Sequence, residues 1–299
     1  MSTPLTACLV VLGKYVPFLK VFDTLLGDQP ALEPHIGFYQ RLLARDQDEA
    51  NDIAEEHFRE NSLEQTYDGL LIPALNFAKR DLGSENLGEE EQRNLLATVR
   101  EIVESLSTLH EKGEAAAIPE GETVAEVLPP HKVAILGCPA RDEADEVALI
   151  MLKELLALGR CQVSLSTAAL MVSQVVSLVE EEKPSMLCIA ALPPGGSAHT
   201  RLLCLRLRSR FPDLKIFVGR WGYQGEVEKA REQLIAAGAD YFGITLAETS
   251  HQMSTEVSLL PNSQPEVLAA SPGSPQASSS QRGSNTAIDL TGPTAAKPA

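Results

Sequence analysis

Residues 131–257 alternate short apolar runs with longer amphipathic stretches, and this alternation constrains the fold more than any other feature of the chain. Short, mostly β-branched apolar runs are typical of strands that are buried on both faces of a sheet. The predicted strands are Val133–Leu136, Val163–Leu165, Met186–Ala191, Ile216–Val218 and Tyr241–Ile244. Helices are predicted between them over Asp142–Leu158, Ala168–Glu182, Ser197–Phe211 and Gly225–Ala237. Strand–helix alternation predicts an α/β fold with a doubly wound parallel sheet and right-handed crossovers.

Five predicted strands favour the flavodoxin-like order 2-1-3-4-5. In a sheet of this order, ligands bind beyond the carboxyl ends of the strands, where strands 1 and 3 lie side by side. The residues that directly follow the strands are therefore the first candidates for a binding site.

The preceding segment, residues 31–112, is acidic and helical in pattern. Pro34 can open a first helix with Phe38, Leu42 and Leu43 on one face, and Asp46 begins a second. Ser62 and Gln65 have the spacing of a capping box at the start of a third helix, in which Pro73 is expected to cause a kink. A fourth helix is predicted over Glu89–His110. Four amphipathic helices with short connections predict a small bundle.

The predicted organisation therefore has five parts. They are an apolar segment over 1–30, a helical cap-like bundle over 31–112, a linker over 113–130, the α/β domain over 131–257 and a disordered tail over 258–299. The apolar segment either contacts a membrane, as the remnant of a membrane helix, or forms a helix that packs on the rest of the chain. The tail is rich in Ser, Pro, Gly and Ala and cannot bury enough surface to offset its chain entropy.

Charge and cysteine usage exclude several classes of function. The formal net charge of −16 argues against nucleic acid as a partner, because phosphates require clustered Lys and Arg. The five cysteines form no C-x-x-C pair and show no zinc spacing, so reduced, buried thiols in a cytosolic protein are expected. No Ser-His-Asp set, nucleophile elbow or pair of carboxylates stands out, and a non-enzymatic protein is predicted.

The hexapeptide Asp142-Glu143-Ala144-Asp145-Glu146-Val147 follows the first predicted strand. It resembles the Asp-x-His-x-x-Gly motif of cobalamin-binding domains of the methionine-synthase type, in which the His is the lower axial ligand of the cobalt. Two stretches of the helical segment also resemble that family's helical cap, namely Leu42-Leu43-Ala44-Arg45-Asp46 and Leu70-Leu71-Ile72-Pro73-Ala74-Leu75. The resemblance covers about residues 36–250 and implies a helical cap over a flavodoxin-like domain.

The sequence departs from this family at each position that would hold the cofactor. Asp142 is kept, but Ala144 replaces the His and has no lone pair for cobalt, and Val147 replaces the Gly. The family's Ser-x-Leu becomes Ala190-Ala191-Leu192. Its Gly-Gly, which in the family makes room for the cofactor's nucleotide tail, becomes Gly219-Arg220. The family's cap has a Trp and a Glu-His pair that contact the ligand, where this chain has Glu91-Gln92. The resemblance therefore implies a cobalamin-type fold whose axial-His site is lost. Cobalamin remains a candidate ligand only if it binds base-on, with its own benzimidazole below the cobalt.

Three further features near the strand ends have both a binding and a structural interpretation. Arg220, Trp221 and Tyr223 could hold an anionic or planar molecule, or could form an ordinary surface loop. Pro193-Pro194-Gly195-Gly196-Ser197 could cradle a phosphate, but a tight turn with Ser197 as the helix N-cap is favoured. His199 could substitute as a metal ligand, but a solvated helix position is favoured.

Phosphoacceptor domains share this fold, but the residues they require are absent from this sequence. A phosphoacceptor domain needs an Asp after strand 3 and a Lys after strand 5, where this chain has Ala190-Ala191 and Ile244-Thr245, so phosphorelay is excluded. Four arginines on the following predicted helix could form a docking patch, although a solvated face is favoured. They are Arg201, Arg206, Arg208 and Arg210.

The stretch from Pro4 to Pro17 is similar to the end of the last membrane helix of the AI-2E-type transporter (permease) family. Some bacterial members of that family continue into a cytoplasmic extension much like residues 30–250. The resemblance implies a regulatory module at the inner face of a bacterial cell membrane, whose partner is a permease or the module's own missing transmembrane part. Whether Met1 is the true start of the protein is left open.

Overall fold

The computed structural model describes residues 33–117, 132–157, 161–168 and 170–260. A helical layer comes first and an α/β domain follows. The layer contains α1 (Pro34–Ala44), α2 (Gln47–Glu60), α3 (Leu63–Thr66), a π-helical turn (Tyr67–Leu71), α4 (Ile72–Gly83) and α5 (Glu89–Ala117). The domain contains β1 (Val133–Pro139), α6 (Glu143–Ala157), β2 (Cys161–Leu165), α7 (Val172–Glu182), β3 (Met186–Ala190), α8 (Ser197–Arg210), β4 (Lys215–Gly219), α9 (Val227–Ala236), β5 (Tyr241–Gly243) and α10 (Leu246–Leu259).

The five strands form one parallel sheet in the order β2-β1-β3-β4-β5, which confirms the predicted fold class and strand order. Alternate strand residues face opposite sides of the sheet. Ile135 and Cys188 belong to a core shared with α6, α10 and the helical layer. Leu136 and Ile189 belong to a second core beneath α7, α8 and α9. Because both faces are covered, the strands read as continuous apolar runs in the sequence.

The helical layer begins as the sequence predicts, with one correction. The Asp46 side chain accepts a hydrogen bond from the Glu49 N–H, and Ser62 and Gln65 form the expected capping box. Phe38 and Leu42 are buried on the inner face of α1. The assignment of Leu43 to that face was wrong, because its side chain is exposed.

The expected irregularity at Pro73 is a π-helical turn, Tyr67–Leu71, directly before α4. Proline lacks an N–H, and its ring clashes with the carbonyl four residues earlier, so an unbroken α-helix is disfavoured there. A π-helical turn relieves this conflict and keeps the two helical segments in sequence.

Two boundaries differ from the prediction. Helix α5 continues to Ala117 and therefore includes Gly113, where the linker was expected to begin. Helix α10 was not predicted at all, and it extends two residues past the predicted end of the domain at 257. The predictions for residues 1–30 and for most of the tail fall outside the described residues. Among the described residues, no helix is both long enough and apolar enough to cross a membrane.

Candidate functional site

The candidate site lies where α4 of the helical layer meets the carboxyl ends of β1, β3 and β4. The predicted positions Ala144, Val147, Ala190 and Leu192 are all buried there, within the core that the sheet shares with the helical layer. They contribute aliphatic packing. Ala190 and Leu192 also contribute backbone groups, since the Ala190 carbonyl accepts the Ala140 N–H and the Leu192 N–H donates to Asp145.

A buried ion pair joins the two parts of the molecule at this point. Lys79 extends from α4, and its Nζ lies 2.7 Å from Asp145 Oδ1 and 3.0 Å from Asp142 Oδ2 on the α/β domain. The Lys79 side chain is 5% exposed and that of Asp145 is completely buried. The predicted role of Asp142 at the helix start is also present, because its Oδ1 accepts the Asp145 N–H at 3.3 Å.

The Asp145 carboxylate is saturated with donors. Besides Lys79, its Oδ1 accepts the Leu192 N–H at 2.9 Å and its Oδ2 accepts the Arg141 N–H at 3.1 Å. Burial raises the pKa of Asp145 to about 6, while the Lys79 ammonium opposes the rise and the Asp142 carboxylate adds to it. Asp145 thus binds the loops after β1 and β3 to helix α4.

Trp221 fills the space next to Gly219. A Cβ at position 219 would overlap the indole ring, so only glycine allows the ring to lie against the end of β4. The indole is fully buried, and its Nε1 donates to Thr249 Oγ1 on α10 at 2.9 Å. The Trp221 carbonyl accepts the Asn76 Nδ2–H from α4 at 3.1 Å. Trp221 is therefore neither available to hold a ligand nor part of a surface loop, the favoured interpretation, because the side chain belongs to the core.

Asp68 provides a third link between the helical layer and the domain. Its two carboxylate oxygens accept the N–H groups of Leu246 and Ala247 at 2.6 and 2.9 Å. These are the first two residues of α10, so a residue of the π-helical turn caps a helix that lies 178 positions away in the sequence. Burial raises the pKa of Asp68, against the lowering effect of these two hydrogen bonds.

A cleft of about 570 Å³ remains open beside these contacts. Helices α1 and α4 form one wall, and the loops after β3 and β4 form the other. The lining residues are His35, Pro73, Asn76, Phe77, Arg80, Pro193, Pro194, Gly195, Ser197, Arg220, Gly222, Tyr223, Gln224 and Gly225. The volume is in the range of sites for drug-sized molecules.

Arg220 is the most buried charge in this cleft, with only 3% of the residue exposed. Its guanidinium donates to Ser197 Oγ and, at 3.0 Å, to the Gly195 carbonyl, and it lies 4.6 Å from the centre of the Tyr223 ring. Its Nε has no hydrogen-bond partner among the described residues. Burial lowers the pKa of Arg220, and the nearby Tyr223 and Asp145 oppose this change.

One prediction for the loop after β3 needs correction, and the favoured interpretation of His199 as a solvated helix position agrees with its exposure in α8. Gly196, not Ser197, is the N-cap of α8, and no side chain caps that helix. Ser197 instead accepts the hydrogen bond from Arg220. His199 is exposed and lines a separate cavity of about 300 Å³ together with Arg141, so it lies outside the main cleft.

The four arginines of α8, for which a solvated face was favoured over a docking patch, are partly engaged in intramolecular contacts. Arg208 pairs with Asp240 at 2.6 Å and also donates to the Gly238 carbonyl. Arg210 pairs with Glu180 at 2.7 Å. Two of the four arginines therefore have intramolecular partners.

The residues present do not fit a cobalamin held by a protein ligand. Ala144 is buried and its methyl group cannot ligate a metal. The place that the family resemblance assigns to the cofactor's tail, beside Gly219, is occupied by the Trp221 indole. The Lys79–Asp145 pair closes the contact between α4 and α6.

Several functional candidates were missed in the sequence, namely Asp68, Asn76, Phe77, Lys79, Arg80 and Asp145. One signal for Lys79 was available, because Ile72, Leu75 and Lys79 are spaced three and four residues apart and so share one helix face. A lysine on an apolar face predicts a buried acidic partner.

Three solved structures can be compared with the chain. A cobalamin-binding protein from Desulfitobacterium hafniense is 12% identical, with a TM-score of 0.36, and the match covers 73% of this chain and 96% of that one. The methanol:cobalamin methyltransferase complex from Methanosarcina barkeri is 16% identical, with a TM-score of 0.35 and coverage of 78% and 83%. A DNA-binding response regulator from Staphylococcus aureus is 12% identical, with a TM-score of 0.33 and coverage of 42% and 98%.

No protein-family model matches the chain, and no curated protein matches it. The fold class rests on the chain's own strand order, which is that of flavodoxin-like proteins.

Proposed function

We propose that this chain is a non-enzymatic, ligand-binding regulatory module with a cobalamin-type architecture whose axial-histidine site has been lost. The observation that carries the proposal is the cleft of about 570 Å³ whose two walls belong to the helical layer and to the α/β domain. A molecule in this cleft would contact both parts, so its binding would stabilise one arrangement of them over others.

The contacts around the cleft support a role in transmitting binding to the rest of the molecule. Asn76 lines the cleft and donates to the Trp221 carbonyl, while Trp221 donates to α10. Arg220 lines the cleft and lies next to Trp221 in the chain. A ligand that shifts Arg220 or Asn76 would therefore act directly on the contacts that fix α4 and α10.

The proposed partner is a membrane permease, or a transmembrane part of the same system, at the cytoplasmic face of a bacterial membrane. This part of the proposal is supported by the resemblance of residues 4–17 to the end of a transporter helix, and these residues lie outside those described. Fractionation of bacterial cells that express the full chain tests it. The wild-type chain is expected with the membranes and a Leu9→Asp chain in the soluble fraction. Equal distribution of the two chains would contradict the membrane partner.

The ligand-binding proposal is tested by two measurements on the full chain. Absorption spectra after mixing with hydroxocobalamin or adenosylcobalamin and desalting in the dark should show no retained corrin bands, and Ala144→His should not change this. Corrin bands at near one per chain would instead establish the base-on alternative.

The second measurement is a thermal-shift screen against nucleosides, nucleotides, amino acids and sugars. A ligand present at 100 times its Kd adds about 2.7 kcal/mol to the free energy of unfolding. Each kcal/mol raises Tm by roughly 2–4 °C. Gln224→Trp, which places a large side chain at an exposed position of the cleft wall, should abolish the shift, and Glu228→Trp on α9 should not. A screen without any stabilising compound, or a shift that persists in Gln224→Trp, would count against a ligand in this cleft.

A further inference from the structure

The charge of the cleft is opposite to that of the whole chain. The chain has a formal net charge of −16, yet the residues that line the cleft include two arginines and a histidine and, among the described residues, no Asp or Glu. Asp81 lies 3.4 Å from Arg80 and Glu33 lies 3.4 Å from His35, so Arg220 is the lining cation without a carboxylate partner among the described residues. The positive potential of the cleft is therefore centred on Arg220. This arrangement selects against cations and favours an anionic occupant.

Arg220 gives the cleft a defined anion-binding group. Arg220 as a residue is only 3% exposed, and no described carboxylate forms an ion pair with its guanidinium. A buried guanidinium without an ion-pair partner is costly, and its unpartnered Nε adds to that cost. An anion in the cleft would supply the missing charge.

The start of α8 lies beside Arg220 in the same wall. Gly195 and Gly196 have φ of 88° and 77°, and the chain enters α8 directly after them. This helix has 14 residues, and no side chain caps its N-terminus. Ser197, the first residue of this helix, lines the cleft and accepts the hydrogen bond from Arg220. Uncapped N–H groups and the positive end of the helix dipole favour phosphate oxygens at such a position.

The opposite wall is suited to a planar group with an N–H donor. Phe77 and Arg80 of α4 both line the cleft, and the Arg80 guanidinium lies 4.6 Å from the centre of the Phe77 ring. Asn76 Oδ1 is buried without a hydrogen-bond partner among the described residues, because the Asn76 amide nitrogen is used by Trp221. A planar heterocycle would stack on these side chains, and a small shift of Asn76 would let its buried Oδ1 accept a hydrogen bond from an amino group of that ring.

We infer that the cleft binds a small phosphate monoester of an amino-substituted heterocycle, a molecule of the nucleoside monophosphate class, with the phosphate on Arg220 and the start of α8. The inference rests on the proposed function, since it names the ligand class for the same cleft. No bond is made or broken in this role.

Equilibrium dialysis of the full chain against AMP, adenosine and inorganic phosphate tests the inference. AMP is expected to bind at one per chain and at least about tenfold more tightly than adenosine, since hydrogen bonds to a charged group are strong enough to give about a tenfold or larger difference. Raising the NaCl concentration should weaken AMP and leave adenosine unchanged.

Three variants locate the phosphate. Arg220→Met should weaken AMP by about tenfold to a hundredfold. The Arg80 side chain is more than half exposed, so Arg80→Gln should leave the fold intact. This variant should weaken the affinity for AMP by about two- to fivefold. Arg231→Gln is the matched control, because Arg231 also lies over an aromatic ring, that of Phe242, but does not line the cleft. Its affinity for AMP should equal that of the wild type.

Equal affinity for AMP and adenosine would overturn the inference, and so would an Arg231→Gln effect as large as that of Arg220→Met, or failure of AMP to bind at all. These outcomes differ from failure of the proposed function. The thermal-shift screen contains uncharged compounds and can still reveal a ligand in the cleft when AMP does not bind.

Discussion

Replacing Lys79 with methionine should destabilise the protein in a way that depends on pH. Methionine keeps much of the side-chain stem and removes the ammonium from a contact that joins α4 to α6 at 2.7 Å. Asp145 would remain as a fully buried carboxylate with two backbone N–H donors, from Arg141 and Leu192. Removal of one partner from a buried pair costs about 3–5 kcal/mol, because the remaining charge has lost its compensation.

The pKa of Asp145 gives the direction of the pH effect. In the folded wild type this pKa is raised from 3.8 to about 6, mainly by burial. Between these two values the folded state binds more protons than the unfolded state, so the free energy of unfolding falls as pH rises through that window. Loss of Lys79 removes the interaction that lowers the pKa, and each further unit adds about 1.4 kcal/mol. The deficit of Lys79→Met should therefore be about 1–2 kcal/mol at pH 5 and about 3–5 kcal/mol at pH 8.

Urea unfolding followed by fluorescence measures this deficit, because Trp221 is the only tryptophan of the chain and contacts both α4 and α10. Lys153→Met is the control, since Lys153 is an exposed lysine of α6, and it should change stability by less than about 0.5 kcal/mol. In the double variant Lys79→Met/Asp145→Asn, the growth of the deficit between pH 5 and pH 8 should disappear. An equal deficit of Lys79→Met at both pH values would refute the reasoning, as would a deficit below about 1 kcal/mol at pH 8.

Three further predictions concern the same core. Asp68→Ala should lower the free energy of unfolding by about 1–2 kcal/mol through loss of the cap on α10, and unchanged urea midpoints would contradict that role. Gly219→Ala should cost about 1–3 kcal/mol and shift the Trp221 emission to longer wavelength, because the new Cβ overlaps the indole; an unshifted spectrum would argue against that contact. Burial raises the pKa of Cys138 to about 11 and that of Cys204 to about 12. Mass spectrometry should therefore find both thiols unalkylated by iodoacetamide until urea is added. Alkylation of either thiol in the native chain would disprove its burial.

The sheet could be predicted from the sequence because its signal is local and repeated. Each strand is buried on both faces, so each reads as an apolar run, and the interleaved helices fix the parallel order. Helix α10 was not predicted because polar residues dominate its sequence. Its few apolar residues pack against parts of the chain that lie far away in the sequence. Leu246 and Met253 pack into the core shared with the helical layer, and Asp68 provides the cap from across the interface.

The candidate site could be predicted only in part. The positions singled out by the family motif lie at the ends of β3 and β4, in the loops that follow them and in α6 after β1, and Asp142 lies at a helix start as predicted. They are Asp142, Ala144, Val147, Ala190, Leu192, Gly219 and Arg220, and their assignment as former ligand positions stays a prediction. The substitutions at these positions could be read directly. The contacts that occupy this region could not be predicted from the sequence, because Lys79 and Asp145 are 66 residues apart and pair only in the folded chain.

The positions that the family resemblance assigns to a ligand lie at the contact between the helical layer and the α/β domain. An empty space of cofactor size there would be a cavity, and cavities in a core are destabilising. Here aliphatic side chains, the Trp221 indole and the Lys79–Asp145 pair occupy that region, so the helical layer and the domain share a continuous core. Beside Arg220 a cleft stays open at this interface, and its lining includes two arginines and no Asp or Glu. The Arg220 guanidinium is buried there without an ion-pair partner among the described residues, and this is the argument for the proposed anionic ligand.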